Sequence, residues 1–204
     1  MDPSTFPTKG NLIAAKGTLA LSRQGYDLLD KKLSVLIREL MDLNEKAREV
    51  QSSLEGVFKE AYAALQSANI GMGIAGVERI SHSVPVEDTL SVRARSVMGV
   101  EIPSVSYANS TAGTPFFGMG GTTSSLDVAF VKFNAAKDLI VRLAMYENSA
   151  YRLAVSIRKT QKRANALKNV TIPRYEALVR GIGETLEERE RDEFARLKAL
   201  KRAR

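Results

Sequence analysis

The chain has 204 residues, a formal net charge of +7 and no cysteine. Without cysteine it has no disulfide framework, no thiol chemistry and no thiolate metal site. No apolar run approaches the roughly 20 residues of a membrane-spanning helix, so we expect a soluble, cytoplasmic protein. The positive charge favours an acidic partner, although charges that simply solvate long helices explain it equally well.

An apolar heptad repeat dominates the first third of the chain. Its two series lie three and four residues apart, which is the a/d pattern of a coiled coil. The series are Leu12, Leu19, Tyr26, Leu33, Leu40, Ala47, Leu54, Ala61, Ala68 and Ala15, Ser22, Leu29, Leu36, Leu43, Val50, Val57, Ala64. A straight helix would drift from a strict period of seven, so the pattern predicts a left-handed supercoil.

The predicted helix follows a loose arm at residues 1–8. It is capped by Thr8, begins at Lys9 and ends near Asn69, which makes it roughly 90 Å long. Gly10 and Gly17 lower its intrinsic helicity by about 1 kcal/mol each. The first turns are therefore expected to depend on a partner for their order.

The middle region shows the two-residue alternation of β-strands. Residues 80–86 and 90–95 alternate in this way, and Val100 and Ile102 continue the pattern. Of two possible turns, at residues 87–88 or at Met98-Gly99, we favour the second, with Pro103 closing the second strand. Residues 107–125 are rich in Ser, Thr and Gly and predict a long, mobile loop.

A second long helix is predicted to begin at Ser124, with Asp127 completing a capping box. Its heptad seam is Ala136, Leu143, Ala150, Ile157, Ala164 with Leu139, Tyr146, Leu153, Thr160, Leu167. Pro173 lacks an N–H and should kink the helix near residues 169–171. Heptad phase resumes afterwards and lapses beyond Leu186.

These patterns predict a mainly α fold with three regions. An N-terminal coiled-coil helix at residues 1–70 and a C-terminal coiled-coil helix at 125–204, kinked near Pro173, form a long antiparallel left-handed coiled coil. A small β-hairpin and loop region at 71–124 joins them. Both chain ends would then lie at one tip, where the longer second helix overhangs by roughly 20–25 Å.

No stretch predicts a catalytic centre, a cofactor site or a metal site. The glycines at residues 71–76 match GxGxxG, but that motif needs a preceding strand and a following helix, whereas here a helix precedes and a strand is expected to follow. Residues 118–123 lack the Gly-Lys-Ser/Thr ending of a phosphate loop. His82, the only histidine, is expected to face out of a strand, and it cannot build a zinc site without cysteine.

More specific motifs occur in both helices. They are Pro7-Thr8-Lys9, Asn11-Leu12, Lys16, Leu19, Leu21, Gly25, Leu28-Leu29, Lys31-Lys32 and Leu36, then Lys162-Arg163-Ala164-Asn165-Ala166-Leu167, Thr171-Ile172-Pro173, Leu186-Glu187-Glu188-Arg189-Glu190-Arg191 and Arg196-Leu197-Lys198. In this order and separation they resemble the D subunit, the central rotor stalk, of the V/A-type rotary ATPases and ATP synthases. Lys168 stands where that family is expected to have an acid.

The resemblance implies a non-catalytic rotor shaft of a proton- or sodium-translocating complex at the cytoplasmic face of the membrane. It transmits torque between an ATP-hydrolysing or ATP-synthesising head and a membrane ion-translocating ring. The implied partners are the catalytic and non-catalytic A and B subunits of the head, the small F subunit of the stalk, and a funnel-shaped subunit on the membrane ring. Nucleotide is bound by other subunits, so no cofactor is implied for this chain.

The resemblance also implies two contact regions. The head-contacting tip would comprise Lys9, Asn11, Lys16, Arg189, Arg191, Arg196 and Lys198. The small-subunit or hairpin region would comprise Leu90, Val92, Val100 and Ile102. From the residues alone, a free-standing coiled-coil adaptor or scaffold and a nucleic-acid-binding rod that grips phosphates with its basic tail remain alternatives.

Overall fold

A computed structural model describes residues 6–107, 115–118 and 120–202. The elements are α1 (Lys9–Met72), α2 (Ile74–Ser81), β1 (Ser91–Val97), β2 (Val100–Ser106), α3 (Ser124–Ala166), a π-helical segment (Leu167–Thr171) and α4 (Ile172–Arg202). Parts of the predicted N-terminal arm (1–5), mobile loop (108–114 and 119) and basic tail (203–204) lie outside the described residues. The mainly α class with a small hairpin is confirmed.

The chain divides into two compact units. Unit 1 contains the chain up to Val35 and from Ile157 onward, and unit 2 contains residues from Leu36 to Ser156. No helix among the described residues has an apolar run long enough to cross a membrane.

In unit 1 the first part of α1 pairs antiparallel with the C-terminal helices. Lys9 contacts Glu190 at 2.9 Å, and Arg23 contacts Glu176 at 2.6 Å, so partner numbers fall as α1 numbers rise. The buried residues of this seam are mostly small or polar: Ala15, Ser22, Thr160, Ala164 and Ile182.

Unit 2 repeats the antiparallel arrangement with larger side chains. Glu60 of α1 forms an ion pair with Lys132 of α3, and the rings of Tyr62 and Phe133 meet edge to face at 5.5 Å between centroids. The buried side chains include Leu36, Leu43, Leu54, Ala61, Leu126, Ala129, Ala136 and Leu153. Each buried leucine contributes about 1.5–3 kcal/mol by leaving water, so this seam is the main apolar core.

The two ends of α1 have clear local causes. The Thr8 hydroxyl accepts the Asn11 backbone N–H at 3.2 Å, which confirms the predicted cap and the start at Lys9. The helix continues past the predicted end at Asn69 to Met72. It stops because Gly73 has a φ of +75°, a conformation that glycine adopts without steric cost.

The strand predicted at residues 80–86 is wrong, because α2 occupies residues up to Ser81. Ile80 lies three residues after Val77, so it also satisfies the periodicity of a helical face. His82 is the exposed C-cap residue of α2, with a φ of −69°, and does not lie in a strand. Of the glycines at 71–76, Gly71 belongs to the last turn of α1, Gly73 separates the two helices, and Gly76 lies within α2.

The hairpin turns at Met98-Gly99 as predicted, with φ values of 50° and 76°. The prediction that Pro103 closes β2 is wrong, since β2 continues to Ser106. Val97 pairs with Val100 next to the two-residue turn, and hydrogen-bonded pairs then alternate along the ladder. Pro103, opposite Ala94, falls on a non-hydrogen-bonded pair, so its missing N–H removes no ladder bond.

The irregularity expected before Pro173 takes the form of the π-helical segment. The Ile172 N–H bonds to the Leu167 carbonyl, five residues back, immediately before the proline that has no N–H to donate. π-helical turns are a recognised cause of helix kinks. The kink itself stays a prediction.

Candidate functional site

The predicted tip residues lie at or near the ends of the described chain in unit 1. Asn11 donates its side-chain N–H to the Phe6 carbonyl at 2.9 Å, and Arg189 reaches the Pro7 carbonyl at 3.3 Å. These two residues therefore hold the segment before α1 in place. The sequence pattern did not reveal that Asn11 and Arg189 also fix the residues that lead into α1.

Charge pairing at the tip is local and exposed. Glu190, by hydrogen bond and by charge, raises the pKa of Lys9, and Lys9 in turn lowers the pKa of Glu190. Arg191 faces Glu187 one turn back on α4 at 3.7 Å. Exposed ion pairs of this kind add little stability and exchange readily with other partners.

A groove of about 570 Å³ lies between the first turns of α1 and the middle of α4. Lys9 and Lys16 line it together with Val179, Leu186 and Glu187. Arg196 and Lys198, the remaining predicted tip residues, lie in the exposed last turns of α4 and do not line this groove. The structure thus brings Lys9 and Lys16 together at this groove, whereas Arg196 and Lys198 lie away from it.

Four helical glycines of unit 1 have no packing role within the described chain. A Cβ built on Gly10, Gly17, Gly181 or Gly183 would meet no described atom within 4 Å outside the adjacent residues and backbone of its own helix. Each glycine costs the helix about 1 kcal/mol relative to alanine, so the chain tolerates a loss that its own packing does not require. A partner that approaches these helices closely would explain why glycine, with no side chain, stands at these positions.

The predicted hairpin region separates into an anchor and an exposed face. Ile102 is only 3% exposed and packs inside unit 2 near Leu43 and Tyr146, whereas Val92 is 62% exposed. Leu90 directly precedes β1 and is also exposed. Ile102 therefore fixes the hairpin, and the surface open to a partner narrows to Leu90, Val92 and the half-buried Val100.

Side chains of α3 hold the backbone of β2. Ser149 approaches the Pro103 carbonyl at 3.5 Å, and Arg152 donates to the Glu101 carbonyl at 3.2 Å. The two α3 residues are three positions apart and share a helical face. Neither residue belongs to the predicted heptad seam, so nothing in the sequence indicated this contact.

Both ends of the hairpin are tied to adjacent residues of α3. Before β1, Glu87 accepts hydrogen bonds from Thr89 and from Lys137, the latter at 3.0 Å, and these lower the pKa of Glu87 to about 2. After β2, Tyr107 donates its hydroxyl to Asp138. Burial first, and then that hydrogen bond, raise the pKa of Tyr107 to about 12.

An apolar cavity of about 330 Å³ lies where α1, α2 and α3 meet in unit 2. Phe117 and Phe130 line it and meet edge to face at 5.7 Å between centroids. Its other walls include Leu65, Val77, Ile80, Val84, Leu126 and Phe133. This recess was not predicted, because its walls come from elements distant in sequence.

The described residues expose several surfaces that suit contact with other proteins. Across 6–107, 115–118 and 120–202, no group of three or more histidine, aspartate or glutamate side chains could hold a metal ion. The charged tip, the exposed hairpin face and the smooth glycine positions are instead features that suit protein contact.

Comparison with known proteins identifies the family of the chain. The profile of the ATP synthase D subunit family matches residues 11–202. The V-type ATP synthase D subunit of Thermotoga neapolitana is 43% identical, over 97% of this chain and 97% of its own length. The A-type ATP synthase D subunit of Thermococcus kodakarensis is 36% identical, over 96% of this chain and 92% of its own. The chain therefore belongs to the ATP synthase D subunit family.

Proposed function

We propose that the chain is the non-catalytic central-stalk subunit of a V/A-type ATP synthase or ATPase. As the rotor shaft it transmits torque between the ATP-hydrolysing or ATP-synthesising head and the membrane ion-translocating ring. The observation that supports this best is the family match over residues 11–202, which spans the antiparallel helix pairs of both units. A free-standing adaptor would not need to resemble a rotary subunit along its whole length.

The local structure suits a part that turns inside another. Paired helices with an apolar seam resist bending and twisting better than a single helix does. The tip carries exposed, exchangeable ion pairs such as Lys9–Glu190, and exposed charges form weak contacts that break and re-form as the shaft rotates. Deep apolar anchors at the same place would bind the shaft too tightly to turn.

Two of the proposed partners are each assigned to one of the surfaces described above. The tip meets the A and B subunits of the head, with Lys16, Arg196 and Lys198 directed at acidic loops of the head. The exposed hairpin residues Leu90 and Val92 meet the small F subunit of the stalk. The funnel-shaped subunit of the membrane ring is the third proposed partner, at the cytoplasmic face of the membrane.

Truncation of the tip tests the proposal in the whole complex. A chain that stops after Glu188 loses the last turns of α4, which are exposed and add little to the seam. We expect the helix pairs to stay folded by circular dichroism while ATP hydrolysis loses its coupling to ion pumping. A chain that stops after Lys198 keeps all the predicted tip residues and is the matched control.

Two outcomes would contradict the proposal. One is full coupling in the complex that carries the chain ending at Glu188. The other is the failure of the intact, tagged chain to co-purify with an ATPase head from native membranes. Retention on DNA, weakened by salt and without any ATPase, would favour nucleic-acid binding instead.

A further inference from the structure

The hairpin has one edge that α3 covers and one edge that it leaves open. In an antiparallel ladder, pairs that exchange hydrogen bonds alternate with pairs that do not. The bonded pair beside the turn is Val97 with Val100, which fixes the parity of both strands. On β2, the backbone groups that point away from β1 therefore belong to Glu101, Pro103 and Val105.

The outer edge of β2 is covered at all three of these residues. Arg152 and Ser149 of α3 approach the carbonyls of the first two, at 3.2 Å and 3.5 Å. The Val105 N–H donates to Sδ of Met145, also on α3, at 3.4 Å. Each contact falls on a residue whose backbone points away from β1, so the contacts agree with the parity that the turn predicts.

The corresponding edge of β1 has no such cover. Its outward N–H and carbonyl groups belong to Val92, Ala94 and Ser96, and all three residues are exposed. Among the described residues, no hydrogen bond joins these backbone groups to another part of the chain. We call this row of backbone groups the open edge of β1. Such an edge can accept an additional strand, because it presents unpaired donors and acceptors at regular intervals.

The charge of β1 restricts which strand suits the open edge. β1 carries Arg93 and Arg95 and no acid. Arg95 forms an ion pair with Glu39 at 3.2 Å, whereas Arg93 has no ion-pair partner within 4.0 Å among the described residues. The one acid of β2, Glu101, pairs with Ser96 and so lies on the other face of the hairpin from both arginines. A strand beside β1 would therefore meet a positive charge on the face of Arg93.

We propose that the open edge of β1 binds an extended acidic segment of a partner protein by β-strand addition. Main-chain hydrogen bonds to Val92, Ala94 and Ser96 would supply affinity, and a carboxylate opposite Arg93 would select the segment. The occupant therefore alternates acidic residues with β-branched residues, and the latter lie beside the exposed side chain of Val92. The proposal concerns the hairpin alone and does not depend on the proposed function.

A second copy of this chain suits the open edge poorly. Two β1 strands side by side would bring Arg93 and Arg95 of both copies together on one face, and like charges opposite each other on a sheet are destabilising. Each copy also carries a net charge of +7, which opposes association. An acidic strand removes both sources of repulsion.

The test adds a synthetic peptide of alternating valine and glutamate, seven residues long like β1, to the full-length chain. Hydrogen exchange measured by NMR follows single backbone amides. At saturation the amides of Val92, Ala94 and Ser96 should gain about fivefold or more in protection, because they become hydrogen-bonded. The amides of Arg93 and Arg95 already point toward β2 and should change by less than about twofold. The same peptide with lysine in place of glutamate is the control and should not bind.

Three variants separate the backbone contribution from the charge contribution. Ala94→Pro removes an outward N–H without removing a ladder bond, as Pro103 does on β2, and should weaken binding about tenfold. Ala94→Thr keeps the N–H and is the matched control, with binding within about twofold of the unmodified chain. Arg93→Glu should weaken binding of the glutamate peptide about threefold or more and should admit the lysine peptide. Protected amides at residues 93 and 95 show that the hairpin of each variant is folded.

Three outcomes would overturn the proposal. The first is no new protection at the amides of Val92, Ala94 and Ser96 at about 1 mM peptide, where even a weak complex forms. The second is equal binding of the glutamate and lysine peptides to the unmodified chain, a comparison that holds even if Ala94→Pro does not fold. The third is a dimer of the unmodified chain in sedimentation that becomes a monomer with Arg93→Glu or Ala94→Pro, which would make a second copy the occupant.

Discussion

Ile102→Ala should release the hairpin from the helices of unit 2 without unfolding the helix pairs. The side chain is 3% exposed and lies on β2, whose only ladder partner among the described residues is β1. Truncating a buried isoleucine to alanine costs about 2–5 kcal/mol, and a two-stranded sheet has little stability of its own. Most of this loss should therefore appear as local opening of the hairpin.

Hydrogen exchange of the isolated chain measures that opening directly. A loss of about 2–4 kcal/mol lowers amide protection by roughly 30-fold to 1,000-fold, since 1.4 kcal/mol corresponds to tenfold. The effect should be confined to amides of β1 and β2 and should spare the protected amides of α1 near Leu43. Val92→Ala, at a side chain that is 62% exposed, is the control and should change protection by less than about threefold.

Binding of the proposed small stalk subunit should weaken in both variants, and only hydrogen exchange tells the two causes apart. Val92→Ala should weaken binding although the hairpin stays in place, whereas Ile102→Ala should weaken it because the hairpin moves. If Ile102→Ala leaves the exchange of β1 and β2 amides unchanged, Ile102 is not the anchor and the division of the hairpin into anchor and face is wrong.

Two further predictions concern the tip and the hairpin entry. Gly17→Ala and Gly183→Ala should each stabilise the isolated chain by about 0.5–1 kcal/mol in urea unfolding, because the new Cβ meets no described atom within 4 Å outside its own stretch of helix. Both variants should also weaken binding to the proposed head, and tighter binding would contradict a close-fitting partner. The pKa of Glu87 is lowered to about 2, so its ionised form stabilises the fold above pH 4.5 and this contribution is lost as the pH falls from about 4.5 to 2. Glu87→Gln should reduce the pH dependence of unfolding in that window, and an unchanged profile would show that the bonds from Thr89 and Lys137 do not stabilise the folded chain.

The helices of this protein were predictable because their signal is repeated many times. Each heptad of α1 repeats the same apolar pattern. Thr8 marks the start of the helix because its hydroxyl accepts a backbone N–H, and Gly73 marks the end because glycine adopts a positive φ readily. The hairpin turn was predictable for a similar reason, since Met98-Gly99 needs positive φ at two residues and glycine supplies one of them readily.

The errors occurred where a short pattern fitted two structures. Ile80 shares a strand alternation with Val84 and a helical face with Val77, and only the packing of these residues around the apolar cavity decides between the two patterns. Pro103 indicated a strand end because its effect on the ladder depends on register, which the sequence does not specify. Contacts such as Arg152 with the Glu101 carbonyl join residues 51 positions apart, beyond the reach of any local pattern.

The two units differ in a way that links packing to the proposed function. Unit 2 buries large side chains such as Leu36 and Leu153, whereas the seam of unit 1 is built mainly on Ala15, Ser22 and Ala164. Small side chains let paired helices approach closely but remove little apolar surface from water, so they stabilise the pair less. A weakly held helix pair is costly in a free protein, so under the proposed function we expect the head around this segment to complete the stability of unit 1.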